Sequence, residues 1–203
     1  YLVLGAGYSG KSGVIRNSGL QPPDKGPGEL RGIGASSSCE WWFTNHAVLL
    51  EADRRFASVT GAKAAERDWE AFLATLHKQR SRIALNGVLL TVSAADLMQG
   101  SAGETEAQAK LLRRRLDAVA EELKLVFPVY LLVTKLDLVQ GFDDFFAGLG
   151  GAGAGQIFGS TLRVAQMRGN DPGRVVAAEL ALLYQTMCRR RQMRLVQDEH
   201  RAR

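Results

Sequence analysis

With 203 residues, 46% of them apolar and 23% charged, the chain is long enough for one sizeable core and has the balance of an ordinary globular protein. It holds no run of about 18 apolar residues and no secretory signal pattern, so no transmembrane segment is expected in it. The net charge of +5 gathers at the end, where Arg189, Arg190, Arg191, Arg194, Arg201 and Arg203 face only Asp198 and Glu199.

That basic end fits a solvated helix terminus or a docking patch for lipid or an acidic partner. Nucleic acid is not expected as a partner, because neither aromatic interleaving nor an RNA-binding motif accompanies the arginines. Cys39 and Cys188 lack metal-ligand spacing, which points to a reducing compartment and thiols without catalytic roles. The chain opens on a strand without an initiator Met, so it reads as a piece of a longer protein.

Residues 1–4 form a short apolar run that reads as a buried strand, ended by Gly5. From there Gly5, four residues, Gly10, Lys11 and Ser12 match the G-x-x-x-x-G-K-[ST] phosphate-loop pattern, with Gly7 and Ser9 inside it. Glycines let successive backbone N–H groups turn inward on a polyphosphate. A helix starting near Lys11 aims its positive end at the same anion. Lys11 is placed to reach the outer phosphates and Ser12 to ligate Mg²⁺.

A helix is expected over 12–18, stopped by Gly19. Residues 21–34 are rich in Pro and Gly and read as a loop, where nucleotide-sensing switches sit in GTPases. Ser36, Ser37 and Ser38 follow, and Ser36 is a further candidate Mg²⁺ ligand. Residues 40–44 and 47–51 are β-prone runs joined by Asn45-His46, a hairpin. Glu51 closes the second run, where phosphate-loop enzymes keep an acid that binds Mg²⁺ directly or through water.

Residues 64–79 carry Trp69, Phe72, Leu73 and Leu76 at helical spacing. A buried strand is expected over 86–93. Residues 107–125 form an amphipathic helix, with Arg113-Arg114-Arg115 mainly on its wet side. Residues 128–134 are continuously apolar, as in a strand covered on both faces. They lead into Thr134-Lys135-Leu136-Asp137, the N/T-K-x-D element of G-type NTPases. There the Asp accepts the paired donors of guanine and the Lys stem lies across the base. A short helix over 142–149, a last strand over 156–162 and a helix from Asn170-Asp171-Pro172 to the end complete the reading. Alternating strands and helices imply an α/β, three-layer, mostly parallel sheet with one antiparallel hairpin. The boundaries are 1–165 for a phosphate-loop NTPase-like domain and 170–203 for a helical extension with a basic end.

Taken together, Arg16-Asn-Ser-Gly-Leu20, Cys39-Glu-Trp-Trp-Phe-Thr44, Asn86-Gly-Val-Leu-Leu-Thr-Val-Ser93, Ala95-Asp-Leu97 and the run Phe127 to Phe142 resemble the cytoplasmic domain of the TssM/IcmF family. The resemblance covers roughly residues 1–162. It implies a small-GTPase-like phosphate-loop domain on the cytoplasmic side of a bacterial inner-membrane protein of the type VI secretion system. Implied partners are a TssL-like inner-membrane protein and baseplate components, with the TssJ lipoprotein meeting only a periplasmic region outside this chain. Implied ligands are GTP or ATP with Mg²⁺.

The family motifs carry Lys11, Ser12 and Glu51 as catalytic candidates, and Ser12, Ser36 and Glu51 as metal candidates. Gly5, Gly7, Ser9, Gly10, Lys11, Ser12, Thr134, Lys135 and Asp137 are the nucleotide-binding candidates. The family pattern L-L-D-T-A-G-R-Y reads here Leu49-Leu-Glu51-Ala-Asp53-Arg54-Arg55-Phe56. Glu51 keeps the charge with one more methylene. Arg54 stands where the family has the Gly whose N–H meets a γ-phosphate, which argues against fast hydrolysis. Alternatively Arg54 or Arg55 brings positive charge to the phosphates. Three functions remain open: a nucleotide-binding regulatory and scaffold domain, a slow GTPase or ATPase, and a docking module with a relic loop.

Overall fold

A computed structural model describes residues 1–23, 30, 32, 38–60, 62–80, 82–147 and 158–201. Ser36, and with it most of the Pro/Gly-rich segment, lies outside the described residues. The chain forms two compact units, Tyr1–Gln140 and Gly141–Arg203.

The first unit is α/β. Five strands, β1 (Leu2–Gly5), β2 (Cys39–Phe43), β3 (Val48–Ala52), β4 (Val88–Ser93) and β5 (Val129–Thr134), lie in the order β2-β3-β1-β4-β5. All neighbours are parallel except β2 and β3, the expected hairpin, which pairs Phe43 with Val48. Thr44 closes its turn: its N–H donates to Ala47 O at 2.9 Å and its hydroxyl oxygen accepts from Ala47 N at 3.0 Å.

Strand alternation divides the core. Leu2, Leu4, Leu50, Val88 and Leu90 pack against α2 (Ala62–Gln79) and α4 (Ala102–Leu123) on one face. The stripe of α2 sits there as its spacing predicts, with Trp69 and Leu73 fully buried and Phe72 partly so. On the other face Val3 and Leu49 meet Trp42, Leu30 and Ile15 of α1 (Lys11–Arg16). The α1 helix ends before residue 18 because Asn17 and Ser18 turn their side chains back onto Gly13 O and Ile15 O. A capping box between Ser101 and Glu104 starts α4 five residues earlier than its apolar spacing suggests.

Two expectations for this unit fail. Arg115 is not on the wet side of α4: it is buried, its Nε donating to Phe56 O at 2.9 Å. That bond satisfies a carbonyl of the 3₁₀ turn Arg54–Ala57, so the guanidinium joins α4 to the segment after β3. Nor is β5 covered on both faces. Among the described residues it is one of the two edge strands, and Val129, Tyr130, Leu131 and Val133 are exposed, Leu131 at 62%. A continuous apolar run has the same spelling at an edge as at a centre.

The second unit contains α5 (Phe142–Phe146), the short helix Val164–Met167 and the long helix Pro172–Arg201. Its long helix begins as expected at Pro172, where Asp171 Oδ1 accepts from Gly173 N at 3.1 Å. The last strand does not form over 158–162, and 156 and 157 lie outside the described residues. Ser160 there turns its hydroxyl to Glu179 Oε2 at 2.6 Å, tying the segment to the helix. Part of the basic end is engaged inside the unit. The Arg190 guanidinium lies over Phe145 and Phe146, and Arg194 donates to Phe145 O at 3.1 Å.

Candidate functional site

The apolar strand β1 delivers the chain from the middle of the sheet to a tight loop over residues 6–10. Register places Gly5 opposite Thr91 of β4, and a Cβ on Gly5 would collide with the hydroxyls of Thr91 and Ser9. Gly10 takes the left-handed backbone (φ +84) that starts α1, with Thr134 against it. Tyr8 is left-handed too (φ 61) and 80% exposed.

Hydroxyls from two strands hold the loop from beneath. Ser9 Oγ and Thr91 Oγ1 are 2.7 Å apart, both buried. Thr134 Oγ1, at the end of β5, donates to Ser9 O at 2.7 Å. Thr134 therefore acts on the loop's backbone, and it reaches the site through β5 pairing in register with β4.

Lys11 folds back over the loop. Its Nζ donates to Gly5 O at 3.0 Å and Ala6 O at 3.2 Å, and the side chain is buried. Burial holds its pKa below the ordinary value. Glu51 and Asp53 oppose that depression, and Arg54 adds to it. Ser12 Oγ donates to Glu51 Oε1 at 2.8 Å, and Trp42 Nε1 donates to Glu51 Oε2 at 3.1 Å. Both carboxylate oxygens are thereby fixed, one by α1 and one by β2.

A cleft of about 300 Å³ opens over these groups, lined by Tyr8, Ser9, Gly10, Lys11, Ser12, Gly13, Glu51 and Lys135. The structure thus brings together Ser9, Gly10, Lys11, Ser12, Glu51 and Lys135. Gly5, Gly7 and Thr134 shape or support the loop without lining the cleft. Lys135 is left-handed (φ 56) and starts the turn Leu136–Leu138. Asp137 sits in that turn, exposed and outside the lining. Among the described residues no group of three or more His, Cys, Asp or Glu side chains is placed to hold a metal by itself.

Thr91 and Trp42 were not singled out for the site from sequence. Trp42 carried a usable signal. Glu40 pairs with Glu51 across the hairpin, and Trp42, two residues on, shares its face. Thr91 carried none, because its role depends on the register between two strands far apart in sequence.

The profile of the IcmF-related N-terminal domain family matches residues 62–203. Over an alignment of 208 residues the chain is 36% identical to a type VI secretion system component, TssM1, of Pseudomonas aeruginosa. That alignment takes in 100% of this chain and 19% of the relative, so the chain spans about a fifth of the relative's length. The loop, Glu51 and Arg54 precede the profile match and fall within the longer alignment. No solved structure matches the chain.

Proposed function

The chain belongs to the TssM/IcmF family, and from that premise we propose that it is a nucleotide-binding regulatory and scaffold domain of a type VI secretion membrane complex. The observation that carries the nucleotide reading is the cleft itself. A buried lysine ammonium rests on carbonyls of a tight loop, beside a hydroxyl and a carboxylate 2.8 Å apart. Neutral carbonyls are weak partners for a desolvated cation, and a phosphate oxygen is a better one.

The donor set also suits Mg²⁺. Magnesium takes oxygen ligands at about 2.0–2.1 Å in an octahedron, so adjacent ligand oxygens stand about 2.9 Å apart. The Ser12 and Glu51 oxygens are at 2.8 Å already. One carboxylate and one hydroxyl, completed by phosphates and waters, is the usual way proteins hold this ion. Bound there, the metal would neutralise phosphate charge. The chain's own part is to orient: Trp42 fixes one Glu51 oxygen, Thr91 and Thr134 fix Ser9, and Gly10 turns the chain into α1.

In this reading the domain is a small-GTPase-like phosphate-loop unit. Lys135 and Asp137 would flank the base while Thr134 supports the loop, and either GTP or ATP is the ligand. No helix among the described residues is long and apolar enough to cross a membrane. On this proposal the domain works at the cytoplasmic face of the inner membrane, beside a TssL-like protein and baseplate components. The TssJ lipoprotein would meet only other parts of the full-length protein.

Equilibrium titration with fluorescent GTP and ATP in Mg²⁺ tests this. The wild type should bind one of them at micromolar concentration. Lys11→Ala should weaken binding by about 100-fold, the scale of a lost charged contact to phosphate. Asp137→Ala should relax any preference for GTP. Binding of neither nucleotide would leave a docking module with a relic loop.

A further inference from the structure

The two arginines that follow β3 are neighbours in sequence and opposites in surroundings. Arg55 is engaged. Its Nη2 lies 3.2 Å from Asp68 Oδ2, its Nε 4.0 Å from Asp53 Oδ1, and its guanidinium covers the Phe56 ring at 5.1 Å. Asp53 is occupied as well, accepting from Arg55 N at 2.9 Å.

Arg54 has no ion pair and no side-chain hydrogen bond among the described residues. Its guanidinium carbon stands 6.0 Å from the centre of the Tyr8 ring. Its stem runs along Gly7, where an added Cβ would lie 3.5 Å from Arg54 Cδ. Tyr8 lines the cleft and Gly7 belongs to the loop. The arginine therefore lies beside the cleft, outside its lining, against Gly7 and Tyr8 of the loop. Its charge is also felt at Lys11.

We propose that Arg54 senses the terminal phosphate of a nucleoside triphosphate: it leaves the Tyr8 ring and pairs with that phosphate, so that the cleft distinguishes triphosphate from diphosphate. This rests on the nucleotide reading above. In a phosphate loop the backbone cradles the inner phosphates and the lysine reaches the β- and γ-phosphates, so Arg54, beside Gly7 and Tyr8, would add a second cation at the terminal phosphate. The exchange is favourable. An exposed cation–π contact is weaker than a charge-assisted guanidinium–phosphate contact, in which opposite charge and paired N–H donors meet the phosphate oxygens. The sensing group is then a side chain, where the family's glycine pattern implied a backbone N–H. Arg55, paired with Asp68, takes no part.

The test compares dissociation constants for a non-hydrolysable GTP analogue and GDP, and for the adenine pair, with Mg²⁺. The proteins are the wild type, Arg54→Ala, Arg54→Lys and Arg55→Ala. The wild type should favour triphosphate by about tenfold. Arg54→Ala should cut the preference several-fold by weakening triphosphate alone, with diphosphate affinity and melting temperature unchanged. Arg54→Lys should keep part of the preference, and Arg55→Ala all of it. An Arg54→Ala protein that binds normally and keeps the wild-type ratio overturns the proposal and leaves nucleotide binding standing. Should Arg54→Ala fail to fold, an unchanged ratio in Arg54→Lys overturns it equally. A wild type that binds neither phosphate form ends the nucleotide reading, and this one with it.

Discussion

Strands β1 and β5 flank the same neighbour, β4, run parallel to it and are both built of large apolar residues. Every residue of β1 is buried, whereas no residue of β5 is. Their C-terminal ends differ in the same sense. The end of β1 becomes the loop that wraps Lys11 and Ser12, cross-braced by Thr91 and Glu51. The end of β5 contributes one hydroxyl bond to that loop and then turns away, leaving Asp137 exposed. A strand in the middle of a sheet is fixed by its neighbours and can place atoms to a fraction of an ångström. An edge strand is fixed on one side only. The side of the cleft built from Lys11, Ser12 and Glu51 is therefore the more firmly braced, and the side at Lys135 the looser one.

The largest contrast should be in stability. Leu4→Ala, at a fully buried site facing α2 and α4, should cost about 2–5 kcal/mol in denaturant unfolding. Leu131→Ala on β5 should cost under about 1 kcal/mol. Equal losses would show that β5 is covered in solution and would remove the contrast.

Smaller effects separate the braces. Thr91→Val strands the buried Ser9 hydroxyl and should cost about 1–3 kcal/mol. Thr134→Val removes a partly buried bond and should cost about 0.5–1.5 kcal/mol. The reverse order would make β5 the principal support of the loop.

The mildest expected effect is on pH dependence. Phosphate favours the charged form of Lys11, whose pKa burial has lowered from 10.5. Raising the pH through that lowered value removes the proton and weakens nucleotide binding. The fall should therefore set in below the range of an exposed lysine, and it should be absent in Lys11→Ala. An affinity flat up to pH 10.5 would mean that the Lys11 ammonium is not held below its ordinary value in the free protein, or does not meet the anion.

Much of this was legible in the sequence because it is local. The glycine spacing from Gly5 to Gly10, the hairpin around Asn45-His46 and the apolar stripe of α2 each follow from a short window. The Ser101 to Glu104 capping pair is also legible, four residues wide, and marks a start of α4 that apolar spacing alone does not. What stayed hidden depends on placement across the fold. The exposure of β5 follows from which strand is last in the sheet. The inward turn of Arg115 follows from a carbonyl at Phe56 that needs a donor. The difference between Arg54 and Arg55 follows from Asp68, on a helix that no motif connects to them.

The bond from Trp42 to Glu51 makes the site optically audible. Indole emission responds to the charge and hydrogen bonding at its nitrogen, and here that nitrogen touches the carboxylate expected to meet the metal. Trp69 is buried in the opposite cluster, with no hydrogen-bond partner for its own Nε1 among the described residues. With Trp41 and Trp69 replaced by Phe, the intrinsic emission of Trp42 would follow occupancy of the cleft without any attached dye.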